Sequence, residues 1–265
     1  RILPDGNVNS CLKSHRIPVG NLYGHSFKEI WNNPSQQNFR KKTLVYEKKD
    51  PFFRCIGNDP DTKEAGCYKS CDDIGRNVYM HNRIMSLTPI EKGILHFMAK
   101  VKKGKGGHVG KNKVTKTKDL PSDIRGILNG RQAFTGPEHV VIDLTNRCNE
   151  RCIGCWMYSP LLKEDRPKPN WLLQELPTNV VKGLIDELKG IGTKRIRFTG
   201  GGEPFMHPDI MEILEYVKER GIITSVTTNF SLLDEKKVQR LVDIGVDDLS
   251  VSLWAGDAET YMNTH

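Results

Sequence analysis

The chain has 265 residues, 37% of them hydrophobic, and a formal net charge of +8. That length suits one large or two modest domains, and the apolar content supports globular cores. No apolar run is long enough to span a bilayer, and no signal-type segment opens the chain.

Residues 1–78 read as loop-rich and hold four cysteines, Cys11, Cys55, Cys67 and Cys71. Four thiols suffice for one iron–sulfur cluster or one zinc site, and an even set also permits disulfides. Cys67-x3-Cys71 has close ligand spacing, whereas Cys11 and Cys55 must be brought in by folding. Residues 79–136 read as a connector. Ile90 to Val101 is amphipathic enough for one helix, and residues 100–118 carry eight lysines, four glycines and no acid. Those eight lysines equal the whole formal charge excess of +8, so the basicity belongs to a solvated linker. Such a run can bind polyanions, but it lacks the interleaved aromatics of a base-stacking surface, which disfavours nucleic acid as a partner.

From about residue 137 the pattern alternates. Strands are expected at Val140–Leu144, Arg195–Thr199, Ile222–Thr227 and Leu249–Leu253. Helices are expected at Pro177–Lys189, Pro208–Arg220 and Leu233–Ile244, stopped by Gly190, Gly221 and Gly245. In the last helix Val238, Leu241 and Val242 are read as inward. Repeated strand–helix–strand units imply an α/β fold with a parallel sheet and right-handed crossovers. Ligands of such sheets bind at the carboxyl ends of the strands.

The residues with chemical content sit at those ends. Cys148, Cys152 and Cys155 form a C-x3-C-x2-C loop after the first strand. Three thiolates suit three corners of a [4Fe–4S] cube and leave its fourth iron open to a small molecule. Structural zinc wants four protein ligands, usually in paired knuckles, and no second knuckle is adjacent. Gly200-Gly201-Gly202-Glu203-Pro204 follows the second strand. Its glycines are expected to permit positive φ and close approach of a ligand, and Glu203 to hold an ammonium group or cap the next helix. Asn229 follows the third strand and Ser252 ends the fourth. His207 reads as a turn residue, and Tyr158 and Trp171 as packing residues near the mouth.

Cys148, Cys152 and Cys155 after one strand, with Gly201-Gly202-Glu203-Pro204 after the next, resemble the radical S-adenosylmethionine (radical SAM) superfamily over about residues 137–265. The resemblance implies a partial parallel (βα) barrel with about four βα units present, and a [4Fe–4S] cluster on the three cysteines. It implies that SAM chelates the open iron, with Gly200, Gly201, Gly202 and Glu203 at its amino group and Asn229 and Ser252 at its ribose or carboxylate. Reductive cleavage of SAM then yields a 5′-deoxyadenosyl radical that abstracts hydrogen from a substrate. The family places an aromatic residue before the third cysteine. Here Gly154 stands there, and Trp156 is the substitute. Asp5-Gly6-Asn7-Val8-Asn9-Ser10-Cys11, Gly20-Asn21-Leu22 and Ser26-Phe27-Lys28-Glu29-Ile30-Trp31-Asn32 resemble the SPASM-type extension, which implies an auxiliary [4Fe–4S] cluster on Cys11, Cys55, Cys67 and Cys71.

The family barrel has six strand–helix units, so the chain is expected to be a fragment cut at both ends that binds SAM weakly and turns over poorly alone. The order of the modules suggests a tandem protein, with service to the downstream barrel as the alternative. The resemblance further implies a reducing cytoplasm, an electron donor such as flavodoxin or ferredoxin, and a peptide, protein or small-molecule substrate. Residues that act on that substrate are not legible. A non-catalytic iron–sulfur protein and a zinc-stabilised nucleic-acid adaptor are the rival readings.

Overall fold

The computed structural model describes residues 1–11, 17–44, 51–53, 82–91, 93, 121–162 and 167–265. The chain forms two compact units. One contains Arg1–Leu12, Gly20–Ile30 and Pro137–His265, and the other contains Lys13–Val19 and Trp31–Gly136. The elements run β1 (Asn7–Asn9), β2 (Pro18–Asn21), α1 (Phe27–Trp31), α2 (Pro34–Leu44), α3 (Ser122–Asn129), β3 (His139–Asp143), α4 (Pro169–Leu172), α5 (Thr178–Gly190), β4 (Arg195–Thr199), α6 (Ile210–Glu219), β5 (Ile223–Thr228), α7 (Glu235–Ile244), β6 (Asp248–Val251) and α8 (Ala258–Thr264).

β3, β4, β5 and β6 lie side by side in sequence order, all parallel. The architecture is therefore α/β, with the parallel four-stranded sheet expected of a partial (βα) barrel. Register pairs Val140 with Ile196 and Ile142 with Phe198, then Ile196 with Thr224 and Phe198 with Val226. These side chains form one buried face. Helices cover that face because their apolar residues recur at helical spacing. α5 buries Val181, Leu184, Ile185 and Leu188, and α6 buries Ile210, Ile213, Leu214 and Val217. Along the opposite face the register places Val141, Arg197, Ser225 and Asp248 in one row and Asp143, Thr199, Thr227 and Ser250 in the next. The alternation of apolar and polar residues along each strand is the mark of these two environments.

α7 differs from expectation. Leu241 is buried, Val238 is half-buried and Val242 is 67% exposed. α7 therefore buries a narrower stripe than α5 and α6, which bury the consecutive pairs Leu184–Ile185 and Ile213–Leu214. α6 and α7 stop where Gly221 (φ 62°) and Gly245 (φ 77°) turn left-handed. α5 runs through Gly190, and the left-handed residue that follows it is Gly192 (φ 90°). Ser252 stands just beyond β6 rather than within it.

The amino-terminal segment contributes to the first unit. Ile2, fully buried, donates its amide to the Val141 carbonyl and accepts from the Asp143 amide, both at 2.9 Å, as a one-residue parallel edge on β3. Arg1 clamps the Asp143 carboxylate with its Nε at 2.8 Å and a terminal guanidinium nitrogen at 2.6 Å. The Asp5–Asn21 motif residues build a scaffold of their own. Asp5 accepts from the Asn7 amide and side chain at 2.9 and 2.6 Å. Asn21 Nδ2 donates to the Asp5 carbonyl and to Asn7 Oδ1, each at 3.0 Å. Ser26 and Glu29 form a capping box, in which the Glu29 carboxylate accepts from the Ser26 amide and hydroxyl at 2.9 Å.

In the second unit Phe39, Phe52 and Phe53 pack edge to face. Arg40 lies over the Trp31 ring and donates to the Trp31 and Arg131 carbonyls. Cys55, Cys67, Cys71, the lysine run and most of the span expected as a helix, Ile90 to Val101, lie outside the described residues.

Candidate functional site

The loop after β3 begins at Leu144 and is pinned before it reaches its first cysteine. Asn146, 1% exposed, accepts the Tyr158 hydroxyl on its carbonyl at 2.7 Å and donates its side-chain amide to the Trp171 carbonyl at 2.8 Å. Arg147 donates to Glu175 at 2.6 Å and to the Met206 carbonyl at 2.7 Å. Beyond it Cys148, Cys152 and Cys155 carry free, half-buried thiols. The Cys155 amide donates to the Cys152 carbonyl at 2.9 Å, which closes a tight turn between these two cysteines. The Cys155 Sγ in turn accepts from the Met157 and Tyr158 amides at 3.4 and 3.3 Å.

Burial dominates the thiol electrostatics. It pushes the Cys148 thiol up to about 11, an effect opposed by a backbone amide and reinforced by Glu203, Cys152 and Cys155. Cys152 is raised by the same burial, then by Cys155 and Glu150. Among the described residues no three His, Cys, Asp or Glu side chains converge on a single ion. A cube has less need of such convergence, since each of its corners is a different iron. The donor set fits that group: three unpaired thiols on one loop, one already receiving two amide N–H donors.

The glycine loop is fitted against the cysteine loop. A Cβ on Gly202 would stand 2.1 Å from the Arg147 carbonyl oxygen and 2.6 Å from the Arg147 and Asn146 carbonyl carbons. One on Gly201 would meet the Met157 sulfur at 2.5 Å, and one on Gly200 would make ordinary 3.5 Å contacts. None of these three glycines has positive φ. Close approach of two backbones, not left-handed geometry, is the requirement at Gly202, where a carbonyl group fills the space of a side chain; at Gly201 side chains fill it, and Gly200 has room for a Cβ. The Glu203 amide completes the joint by donating to the Arg147 carbonyl at 2.8 Å.

Glu203 links three strand ends. The residue is buried, at 3% exposure. Oε1 accepts from the Phe205 amide at 3.1 Å and the Thr228 hydroxyl at 2.7 Å, and Oε2 accepts from the Asn229 amide at 2.7 Å. It is thus the cap of the Pro204–Met206 turn and also the latch onto β5. Burial holds its carboxyl above the usual range against those three donors. Asn229 Nδ2 donates to Asn149 Oδ1 at 3.0 Å, and Asn149 Nδ2 donates to the Ser231 hydroxyl at 2.7 Å, so the β5 loop grips the cysteine loop. The Ser252 amide donates to the Thr228 carbonyl at 2.8 Å. All four strand ends are therefore joined through hydrogen bonds. Phe230, 37% exposed beside this network, holds φ at 67°, an uncommon conformation for a bulky residue.

Trp156 is 55% exposed and meets Trp171 edge to face at 6.1 Å. His207 is structural. Its Nδ1 accepts the Asp209 amide at 3.2 Å, so its Nε2 carries the hydrogen donated to the Leu176 carbonyl at 2.9 Å. Arg147, Asn146 and Asn149 are the positioning residues that sequence reasoning passed over. Their signal was adjacency to Cys148, since polar residues that flank a ligand hold the loop that presents it. Cys11 is half-buried at the end of the Asp5–Cys11 motif.

Comparison with known proteins adds sequence likeness to this geometry. Residues 142–265 match the model of the radical SAM superfamily, and residues 1–57 match that of an iron–sulfur cluster-binding domain, SPASM. The chain is 33% identical over 137 residues to Fe-coproporphyrin III synthase of Methanosarcina barkeri, covering 52% of this chain and 31% of that protein. It is 40% identical over 126 residues to GTP 3',8-cyclase of Chlorobaculum tepidum, covering 47% and 35%. It is 30% identical over 127 residues to PqqA peptide cyclase of Rhodopseudomonas palustris, covering 48% and 31%. The chain thus spans about a third of the length of these curated relatives. The radical SAM match occupies the carboxyl-terminal part, and the SPASM match precedes it. Among the described residues no helix is long and apolar enough to cross a membrane.

Proposed function

We propose that this chain is part of a radical SAM enzyme in which Cys148, Cys152 and Cys155 hold a [4Fe–4S] cluster and Gly200, Gly201, Gly202, Glu203, Asn229 and Ser252 receive SAM. When bound, cluster and SAM supply one-electron cleavage of the sulfonium bond and a 5′-deoxyadenosyl radical that takes a hydrogen atom from the substrate. The chain's own residues hold the parts in place. The Met157 and Tyr158 amides donate to the Cys155 sulfur. Glu203 presents a desolvated carboxylate, and Trp156 flanks the loop as an exposed aromatic surface.

The observation that carries this reading is the joint between the two loops. The Gly202–Arg147 approach and the Glu203-to-Arg147 hydrogen bond make the thiol loop and the carboxylate loop one packed body at the strand ends. A zinc-stabilised adaptor has no use for such a joint.

Residues 1–78 are proposed as the auxiliary module, with Cys11, Cys55, Cys67 and Cys71 on a second [4Fe–4S] cluster, 79–136 as the connector and 137–265 as the core domain. Likeness to a peptide cyclase supports a peptide as substrate, and likeness to GTP 3',8-cyclase supports a small molecule. A flavodoxin- or ferredoxin-type donor in the cytoplasm suits clusters that need a low potential.

The test is iron and acid-labile sulfide per chain after anaerobic reconstitution, repeated with Cys148, Cys152 and Cys155 changed to Ala. About eight irons falling to about four supports two clusters. Zinc without sulfide overturns the reading.

A further inference from the structure

Two residues, Ile153 and Gly154, separate Cys152 from Cys155. Both are held by the segment that follows β6. The Ile153 amide donates to the Thr264 carbonyl at 2.8 Å. Gly154 lies beneath the indole of Trp254, and a Cβ there would stand 2.4 Å from Cζ3 and 3.2 Å from Cε3 and Cη2. The indole therefore occupies the space of the side chain that Gly154 lacks.

Burial of apolar surface does not account for this placement, because Trp254 remains 52% exposed. A large aromatic left half in water normally finds a deeper seat if one is open to it. This one rests on the cysteine loop, directly before Cys155. A third neighbour agrees with the arrangement. His265 meets the Trp254 ring edge to face at 6.3 Å and stacks on Tyr261 at 4.3 Å, which holds the end of α8 beside the same ring.

We propose that Trp254 is a positioning residue for the cluster: it clasps the Cys152–Cys155 turn from the end of β6 and shields that side of the loop from solvent. The inference rests on the cluster reading given above for the three cysteines. An aromatic surface at this place is thus supplied from a different strand, and Gly154 is required because any side chain would displace it. The role needs no contact between the indole and SAM. It predicts effects on cluster exposure and on loop order.

The experiment uses the full chain after anaerobic reconstitution. The readouts are loss of visible cluster absorbance on exposure to air and the electron paramagnetic resonance spectrum of the reduced triplet-bound cluster. Trp254→Ala is expected to lose the triplet-bound cluster several-fold faster and to alter its spectrum. Trp254→Phe should fall between Trp254→Ala and the native chain. Gly154→Ala should behave like Trp254→Ala, because the new Cβ expels the ring. Gly154→Phe combined with Trp254→Ala should recover slow loss, because the new ring refills the space. Native lability and a native spectrum in Trp254→Ala overturn the proposal.

A separate readout is independent of cluster loading. In the apo chain the emission assigned to Trp254, taken as the difference from Trp254→Phe, should shift to the red in a Gly154→Ala background. An unchanged difference overturns the clasp even if iron binds normally. Failure of the native chain to take up iron, with the emission shift present, removes the cluster reading and leaves the clasp as a contact without that purpose.

Discussion

Gly202→Ala tests the joint on which the site depends. The added Cβ would sit 2.1 Å from the Arg147 carbonyl oxygen, with two further backbone carbons at 2.6 Å. All three are main-chain atoms, so no flexible side chain can swing aside. The two loops must separate by roughly 1 Å, and overpacking of this kind costs about 1–3 kcal/mol. Separation also breaks the 2.8 Å hydrogen bond from the Glu203 amide to the Arg147 carbonyl, at a residue that is 3% exposed. Leaving such a buried group unsatisfied costs about 1–3 kcal/mol more. The expected loss is therefore about 2–6 kcal/mol, measured by denaturant unfolding of the apo chain under reducing conditions. Gly183→Ala is the control, because that exposed helical glycine has nothing within 4 Å of its would-be Cβ. It should stabilise by about 0.5–1 kcal/mol. A Gly202→Ala chain within about 0.5 kcal/mol of native, against the cost expected of overpacking, would refute the close approach and the site geometry built on it.

Glu203→Gln replaces an oxygen that accepts a hydrogen bond with an NH2 that faces a donor. It should destabilise the apo chain by roughly 1–3 kcal/mol and weaken SAM binding to the reconstituted chain, read by anaerobic equilibrium binding. Asp143 supplies a pH test. Its pKa is raised from 3.8 to about 6, with burial as the first cause and Arg1 opposing. A folded pKa above the unfolded one means stability that is present below about pH 4 and lost as pH rises through about 6, on the order of 3 kcal/mol at most. Melting temperature should therefore fall over that window, and Asp143→Asn should flatten the slope; an equal slope in the variant would show that other groups cause it. In the apo chain the Cys148 thiol, pushed up to about 11 from 9.0, should alkylate about 100-fold more slowly near pH 8 than an unburied thiol. Site-resolved mass spectrometry of iodoacetamide labelling checks this, and Cys148 labelling at the rate of a free thiol would contradict its burial.

The βα alternation was legible because it is a periodicity. Ile213, Leu214 and Val217 cannot bury together on anything but a helix, and Ile196 and Phe198 alternate as a strand with one covered face. The motif positions were legible because strand ends are where such residues collect. The joint between the loops was not legible. That Gly202 faces the Arg147 carbonyl, rather than a ligand, depends on the distance between two backbones 55 positions apart in the sequence. No local pattern encodes that distance. The Ile2 edge on β3 was missed for a similar reason, since one residue's pairing leaves no periodic trace. Trp254 carries no motif in the sequence, and its contacts with Gly154 and His265, which join separate segments, give it a place. The prediction of Val242 as buried failed because apolar character marks a helix face only to within a residue or two when the stripe is narrow.

Glu203 shows why a capping role and a binding role need not compete. A carboxylate has about four lone-pair sites. Oε1 uses two, for the Phe205 amide and the Thr228 hydroxyl, and Oε2 uses one, for the Asn229 amide. One acceptor site on Oε2 is therefore left within a nearly buried group whose charge is destabilised by desolvation. A cation with an N–H donor supplies what that site lacks: a fourth hydrogen bond and a compensating charge in a low-dielectric setting. The three internal donors fix the carboxylate so that little rotamer entropy is lost when the fourth arrives. Structural fixation is thus a condition for tight ammonium binding. A substitution that frees Glu203 without removing its charge, such as Thr228→Val, should weaken SAM binding while the carboxylate remains. Unchanged SAM affinity in that variant would confine Glu203 to its structural role.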